Sequence, residues 1–277
     1  MSTIHLISSR QGNVGKTLFA SMIYFLGFAA GGDPQLVDAD DQKQTLSSLH
    51  DGISRITLSD DPALESQPDK IWYLSEETKK DIIVDLAGQT DIYINDWLQK
   101  RGVLQTAKQT KTRIIKWWLS DLEPGSLAEI ARLSKAYSPN EITHVLVKSY
   151  YRARPELWDS ALASTPDLED ALLSDLKVIE FPRLFGQLAD DFRKRGLSFK
   201  DIVLDEKYEK VDMLNRATVL AWIEKCRSEI EQVYKFTKFS EPSSKKVNKK
   251  RTSAEKTTAT SKKGTAATSE KKAATAS

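Results

Sequence analysis

Short runs of apolar and β-branched residues alternate with longer segments of helical spacing up to about residue 235. The apolar runs have the length of strands and are bounded by polar or glycine-containing segments, which is typical of strands buried on both faces of a parallel sheet. The runs that we predict as strands are Ile4–Ser8, Gln35–Asp38, Ile82–Asp85, Arg113–Leu119, Thr143–Lys148 and Lys177–Phe181.

Helical spacing is present in the segments Lys16–Ala30, Ser126–Tyr137, Leu184–Arg195 and Leu214–Tyr234. Strands that alternate with helices predict an α/β fold, a mostly parallel twisted sheet flanked by helices. The longest mostly apolar stretch, Leu18–Ala30, is shorter than the roughly 20 residues that cross a bilayer, so we expect a buried helix. The first residues lack the features of a signal peptide, and the lone Cys226 fits a reducing compartment, so we expect a cytoplasmic protein.

The composition changes near residue 241, and charge is divided unevenly between the two parts. Residues 241–277 hold ten basic and three acidic residues, a net charge of +7, while the rest holds 31 basic and 36 acidic residues, or −5. Val247 is the only large apolar residue of this tail, so the tail cannot bury enough apolar surface to offset the conformational entropy that it would lose on folding. We predict a domain over residues 1–240 and a disordered tail over 241–277. Nonspecific DNA is its expected partner; a solvated tail without a partner and an anionic membrane surface are the alternatives.

The segment Ser8–Thr17, here called the phosphate loop, joins a predicted strand to a predicted helix. Gly12 and Gly15 allow the tight bend that directs backbone N–H groups at phosphate oxygens. Lys16 is predicted to reach the β- and γ-phosphates of a nucleotide, and the Thr17 hydroxyl to bind Mg²⁺. The usual pattern G-x-x-x-x-G-K-[ST] fails at its first glycine, where Arg10 stands, so a chance glycine-containing turn is the alternative interpretation.

Three aspartates close two of the predicted strands. Asp38 and Asp40 end the second strand, and Asp85 ends the third. Ligands of a parallel sheet bind at the carboxyl ends of its strands, so we expect these carboxylates beside Thr17. A carboxylate there can hold Mg²⁺ or orient a water molecule, and Thr17, Asp38 and Asp85 are the predicted metal ligands. An ordinary strand-end residue is the alternative for each aspartate taken alone.

Together these motifs resemble the ParA/MinD family of ATPases. The family motif Lys-Gly-Gly-x-Gly-Lys-Thr is matched by Gln11–Thr17, the motif Asp-x-Asp-Pro-Gln by Asp38–Gln42, and the Walker B strand by Ile82–Asp85. The resemblance is strong over roughly the first 90 residues, architectural as far as about residue 235, and absent in the tail.

The resemblance implies an ATP-binding site with Mg²⁺ and assigns roles to individual residues. It implies that Lys16 and Asp40 are catalytic, with Asp40 positioning the attacking water, and that Asp85 acts near the metal. The choice of ATP rather than GTP depends on the resemblance alone. From the topology, we expect the nucleotide base near residues 181–183. The residues implied to contact the nucleotide are Gln11, Gly12, Asn13, Val14, Gly15, Lys16, Thr17 and Leu18.

Three positions depart from the family pattern. Gln11 replaces the lysine that reaches the nucleotide of the partner subunit, and a neutral amide cannot supply that charge. Asn13 replaces a glycine but tolerates positive φ better than most residues. Asp41 replaces the proline after Asp40. We expect nucleotide binding to survive these changes better than the sandwich dimer or a normal hydrolysis rate.

The predicted function is a slow, partner-stimulated ParA-type ATPase that positions or partitions a plasmid or another large cargo. It would act as an ATP-dependent homodimer, bind nucleoid DNA nonspecifically and respond to an activating adaptor protein. A TraL-like accessory ATPase of conjugative DNA transfer, a nucleotide-sensing scaffold with little turnover and a small-molecule ligase are the alternatives. Membrane binding of the MinD kind is not expected, because the C-terminus lacks an apolar helical face.

Overall fold

A seven-stranded sheet with the order β3-β2-β4-β1-β5-β6-β7 forms the centre of the chain, and its neighbouring strands in the described residues run parallel. The structure is a computed structural model and describes residues 2–40, 45–205, 207 and 209–236. The predicted α/β fold with a mostly parallel sheet is confirmed. The strands are β1 Thr3–Ser8, β2 Gln35–Ala39, β3 Ser54–Arg55, β4 Ile82–Leu86, β5 Arg113–Ser120, β6 Thr143–Ser149 and β7 Lys177–Phe181.

Helices cover both faces of this sheet. The helices are α1 Lys16–Ala29, α2 Thr45–Leu49, α3 Asp69–Thr78, α4 Asp91–Lys100, α5 Val103–Thr110, α6 Pro124–Ala136, α7 Trp158–Ala163, α8 Leu168–Leu173, α9 Leu188–Lys194, α10 Phe199–Val203 and α11 Met213–Ile230. A 3₁₀ turn, Pro155–Leu157, precedes α7. None of the helices in the described part of the chain has the length and apolar character needed to cross a membrane.

Strand β5 illustrates why the strands are continuous apolar runs. Ile115 and Trp117 pack into the cluster formed with α1 and α11. Ile114 packs with α4 and α5, and Trp118 packs with α6, on the opposite face. Because successive side chains of a strand point to opposite faces, a strand covered on both sides must be apolar at nearly every position.

Some predicted helix ends differ from the structure. The helix predicted from Leu184 to Arg195 is α9, Leu188–Lys194, because Gly186 adopts φ of 61° and interrupts helical geometry before it. The helix predicted from Leu214 to Tyr234 ends at Ile230. Strand β3 and the helices α2, α3, α4, α5, α7, α8 and α10 were not predicted, since each is short or amphipathic only over two or three turns.

The last described residues bind at the end of the sheet where the strands β1, β4 and β5 begin. Tyr234 donates its hydroxyl hydrogen to Asp81 Oδ2 at 2.6 Å, and the Thr3 hydroxyl donates to Tyr234 at 3.4 Å. The Arg113 guanidinium donates to the Val233 carbonyl at 3.2 Å. Thr3, Asp81 and Arg113 stand at or just before the starts of β1, β4 and β5. The described chain therefore ends near the amino ends of these strands, whereas the candidate site lies at their carboxyl ends.

The predicted tail, residues 241–277, and the predicted domain boundary near residue 240 lie outside the described residues. Both stay predictions. The same holds for Asp41 and Gln42 in the second acidic motif.

Candidate phosphate-binding site

The phosphate loop curls between the end of β1 and the start of α1. Asn13 and Gly15 both have left-handed backbone conformations, with φ of 63° and 97°. Glycine adopts this conformation without cost, and asparagine is among the few other residues that tolerate it. Gly15 is the N-cap of α1, so the loop leads directly into the N-terminal turn of a helix, where backbone N–H groups commonly bind anions.

Lys16 turns its ammonium group back into the phosphate loop. Its side chain is buried, with the residue 7% exposed. Nζ donates to Ser9 Oγ at 2.9 Å and to the Gln11 carbonyl at 3.3 Å, and Ser9 Oγ donates to the same carbonyl at 2.5 Å. These oxygens replace part of the hydration that the cation loses on burial. The loop therefore places a positive charge where a phosphate can meet it.

Neighbouring strand ends hold the loop from both sides. From β6, the Ser149 hydroxyl donates to the Val14 carbonyl at 2.7 Å. From β4, Gly88 packs so closely that a Cβ there would lie 3.4 Å from the Gln11 carbonyl carbon and from the Gly12 nitrogen. We call residues 87–90, which include this contact with the phosphate loop, the Gly88 loop.

The three predicted acidic residues gather at the ends of β2 and β4. Asp38 and Asp85 are register partners on these adjacent strands. Asp38 Oδ1 accepts from the Asp40 backbone N–H at 3.1 Å, and Asp38 Oδ2 accepts from the Ser47 hydroxyl at 2.8 Å. The Asp38 carboxylate thus fixes the turn that carries Asp40 and the start of α2.

Asp85 is the least satisfied of these carboxylates. It is 2% exposed, and its Oδ1 has no hydrogen-bond partner among the described residues. Burial raises the pKa of Asp85 to about 7, although the Thr17 hydroxyl and the Lys16 charge oppose that rise. A buried, unpartnered carboxylate oxygen beside a threonine hydroxyl is the donor set that a hard cation such as Mg²⁺ prefers.

The site fits a magnesium ion that is shared with a phosphate-bearing ligand. In the described part of the chain, no group of three or more His, Cys, Asp or Glu side chains could hold a metal ion by itself. Mg²⁺ commonly takes one or two protein carboxylates and completes its shell with phosphate oxygens and water. Thr17, Asp38 and Asp85 are near enough in the fold for such a role, and their service as ligands stays a prediction.

A cavity of about 620 Å³ opens from the phosphate loop. Not every predicted contact residue lines it. Val14 is 1% exposed and packs into the core, so its side chain does not reach the cavity. Gln11, Asp38 and Asp85 are also absent from its lining. The predicted residues that do line the cavity are Gly12, Asn13, Gly15, Lys16, Thr17, Leu18 and Asp40.

The far half of the cavity is apolar and was missed by sequence reasoning. Its walls come from Leu184, Phe192, Phe199 and Ile202, with Tyr151 at the end of β6. Tyr151 follows a strand end and could have been found by the rule that identified the aspartates. The others come from α9, α10 and the segment before α9, where no motif marks them. Residues 181–183, expected near a base, do not line the cavity, although Leu184 beside them does.

His50 and Ser21 add polarity to this apolar half. His50 Nε2 lies 3.3 Å from Ser21 Oγ, and both residues line the cavity. Burial lowers the pKa of His50 to about 4, so the imidazole is neutral at pH 7. The ion pair of Asp190 and Arg193 on α9 also lines the cavity. A chamber with mostly apolar walls and a few polar groups, joined to a phosphate-binding loop, suits a ligand with a flat aromatic part and a charged part.

No protein-family model matches the sequence, and no curated protein matches it significantly. Solved structures similar to this chain include the MinC:MinD cell division protein complex of Aquifex aeolicus, with 17% identity, 85% of this chain and 98% of that chain covered, and a TM-score of 0.48. MinD cell division protein of Aquifex aeolicus has 16% identity, coverage of 85% and 99%, and a TM-score of 0.44. The pNOB8 ParA bound to nonspecific DNA has 15% identity, coverage of 84% and 100%, and a TM-score of 0.36. At these values the likeness concerns the course of the chain and says nothing of activity.

The raised pKa of Asp85 predicts a pH-dependent difference between the natural protein and Asp85→Asn. The carboxyl holds its proton up to about pH 7 when folded but only to about 3.8 when unfolded. The folded state therefore binds more protons between these values, and the stability this provides is lost as pH rises. Relative to Asp85→Asn, the free energy of unfolding of the natural protein should fall by about 1.4 kcal/mol per pH unit from about pH 4 to 7.

Urea unfolding of both proteins in EDTA, at intervals between pH 4.5 and 8, measures this difference. Histidine titrations are common to both proteins and cancel in the comparison. Parallel stability profiles for the two proteins would contradict the placement of Asp85.

Proposed function

We propose that this chain is an ATPase of the ParA/MinD type that binds Mg·ATP on the phosphate loop. The observation that carries the proposal is a buried Lys16 ammonium group that lines one end of a cavity of about 620 Å³, next to Thr17. The Thr17 hydroxyl hydrogen-bonds the Asp85 carboxyl, which is buried just outside the lining and has an oxygen without a partner in the described part of the chain. Opposite charges at the carboxyl ends of parallel strands suit a ligand that brings its own phosphates and a divalent cation.

Each residue of the site has a proposed role. The backbone from Gly12 to Gly15 and the Lys16 side chain bind the phosphates, and Thr17 and Asp85 hold Mg²⁺, with Asp38 as a further ligand. When bound, the ion neutralises charge on the phosphate oxygens. Asp40 lines the cavity and orients the attacking water.

The nucleoside is proposed to occupy the apolar half of the cavity. Leu18 follows Thr17 on the first turn of α1 and lines the cavity with the apolar side chains. Tyr151 and Leu184 line the same cavity. The choice of ATP rather than GTP rests on the resemblance described from the sequence.

In the cell, we propose that the protein uses ATP to position or partition a large cargo on nonspecific DNA, in the cytoplasm and on the nucleoid. An ATP-dependent homodimer and an activating adaptor protein belong to the same proposal. Because tail cations would neutralise DNA phosphates without reading bases, we expect the tail to add DNA affinity that does not change with ATP. Any ATP-dependent part of DNA binding would then come from the domain.

A nucleotide-sensing scaffold with little turnover is the second candidate. The observation that favours it is Gln11, an exposed neutral residue where the family pattern has a lysine. A neutral amide does not stabilise the charge that develops on transferring phosphate oxygens.

Turnover by the purified protein separates the two candidates. Phosphate release with Mg·ATP, with and without duplex DNA, should fall at least about a hundredfold in Lys16→Ala and in Asp40→Ala, because each removes a group aimed at the reacting phosphate or water. Lys100→Ala is the matched control, since the Lys100 side chain is 62% exposed on α4. ATP binding that Lys16→Ala abolishes, without turnover by the natural protein, would favour the scaffold.

Salt-dependent DNA binding tests the proposed role of the tail. Replacing five tail cations with glutamine should weaken binding to random-sequence duplex. It should also reduce the slope of log affinity against log salt by about 0.9 for each DNA phosphate that the tail no longer neutralises. The replaced residues are Lys245, Lys246, Lys249, Lys250 and Arg251.

The control for this measurement is Arg193→Gln with Arg195→Gln. Arg193 on α9 lies 2.9 Å from Asp190, and Arg195, just after α9, lies 3.3 Å from Asp191, so both cations already have acidic partners and we expect DNA affinity to stay unchanged. A drop in DNA affinity confined to the control would indicate that DNA binds at α9 rather than at the tail.

A further inference from the structure

A buried polar network lies against the base of the phosphate loop, on the face of the sheet away from α1. Lys116 Nζ is 2.6 Å from Asp91 Oδ1 and donates to Asn95 Oδ1 at 2.8 Å. The Ser8 hydroxyl donates to Asp91 Oδ1 at 2.9 Å, and Asn95 Nδ2 donates to Asp91 Oδ2 at 2.8 Å. We call these four residues the Lys116 network.

The buried ion pair of Lys116 and Asp91 is not expected to stabilise the fold more than apolar side chains would. Lys116 is 0% exposed and Asp91 is 7% exposed, and Lys116 stands on β5 between the core residues Ile114 and Trp118. Burial lowers the pKa of Lys116, against the pull of Asp91, which shows the desolvation that the pair must offset. Buried ion pairs are often no more stabilising than apolar side chains of the same volume.

The network joins two segments that meet at the candidate site. Ser8 is the last residue of β1 and belongs to the phosphate loop, whereas Asp91 is the first residue of α4 and follows the Gly88 loop. The Gln89 N–H donates to the Ser9 carbonyl at 3.4 Å, from a left-handed backbone with φ of 66°. The phosphate loop and the Gly88 loop are thus linked directly at Gln89 and indirectly through Asp91.

The other hydrogen bonds of the Gly88 loop in the described part of the chain are local, since the Thr90 carbonyl accepts from the N–H groups of Tyr93 at 3.1 Å and Ile94 at 3.4 Å. The loop spans four residues between β4 and α4, and its internal hydrogen bond joins the Thr90 hydroxyl to the Ala87 carbonyl at 2.9 Å. Ala87, Gly88 and Gln89 line the cavity beside Lys16 and Asp40. Whatever fixes the start of α4 therefore fixes one wall of the phosphate end of the cavity.

We propose that Ser8, Asp91 and Lys116 are positioning residues that hold the Gly88 loop against the phosphate loop. Their role in turnover rests on the proposed ATPase function, while their role in holding the loop does not. None of the three lines the cavity. Their loss should therefore alter the mobility of the Gly88 loop and the rate of turnover, and should change nucleotide affinity little.

Ser8→Ala is the cleanest variant, because it removes the link to Asp91 without leaving an unpaired charge. Its matched control is Ser75→Ala. Ser75 is 2% exposed and donates to Ser2 Oγ at 2.9 Å, a buried bond of the same length that lies beside the start of β1. A general loss of stability would affect both variants alike.

Amide hydrogen exchange of the full-length protein, without nucleotide, tests the proposal directly. The loss of one net hydrogen bond should speed exchange of the Gln89 amide by about tenfold in Ser8→Ala. Ser75→Ala should leave that amide unchanged. Unchanged exchange at Gln89 in Ser8→Ala, or equal acceleration in Ser75→Ala, would overturn the proposal.

The charge pair is tested by Lys116→Met combined with Asp91→Asn. The double variant avoids the unpaired buried charge that either single change would leave. We expect faster Gln89 exchange, about tenfold slower phosphate release and a Kd for Mg·ATP within about twofold of the natural protein. A natural protein that fails to bind Mg·ATP would contradict the proposed function, and the exchange result would still decide the role of the network.

Discussion

The ammonium group of Lys16 lies inside the phosphate loop, bound by Ser9 Oγ and by the Gln11 carbonyl. A cation in a buried position requires oxygens that replace its water, and here the loop provides them by curling. That curl requires left-handed backbone at Asn13 and Gly15, and it brings the Val14 carbonyl to Ser149 on β6. The local conformation, the packing against the sheet and the position of the charge therefore depend on one another.

The carboxylates opposite this cation are unequally satisfied. Asp38 is engaged by the Asp40 backbone and by Ser47, whereas Asp85 keeps an oxygen without a partner in the described part of the chain. Burial raises the pKa of Asp85 to about 7, so the ionised form is disfavoured until a positive charge arrives. A magnesium ion that accompanies ATP would supply that charge, and the Lys116 network would keep the neighbouring Gly88 loop in place while it did.

Local sequence signals predicted six of the seven described strands and the loop around Lys16 that lines one end of the cavity. The buried strands are continuous apolar runs, and the residues around Lys16 combine glycine, asparagine and a helix start in a recognisable order. The apolar half of the cavity was not predictable in this way, because it joins Leu18, His50 and Phe199 from distant parts of the chain. The Lys116–Asp91 pair was missed for a related reason. A lysine is usually solvent-exposed, and only the tertiary fold shows the buried partner of this one.

Calorimetric titration of Mg·ATP into the natural protein and into Lys16→Met tests the central claim most directly. Methionine keeps most of the volume of the side chain and removes the charge. The account predicts binding of one ATP per chain and an affinity at least about tenfold weaker in Lys16→Met, because a hydrogen bond to a charged group contributes about 1.5–3 kcal/mol. Equal affinities for the two proteins, or no binding by the natural protein, would contradict the assignment of the loop as a nucleotide site.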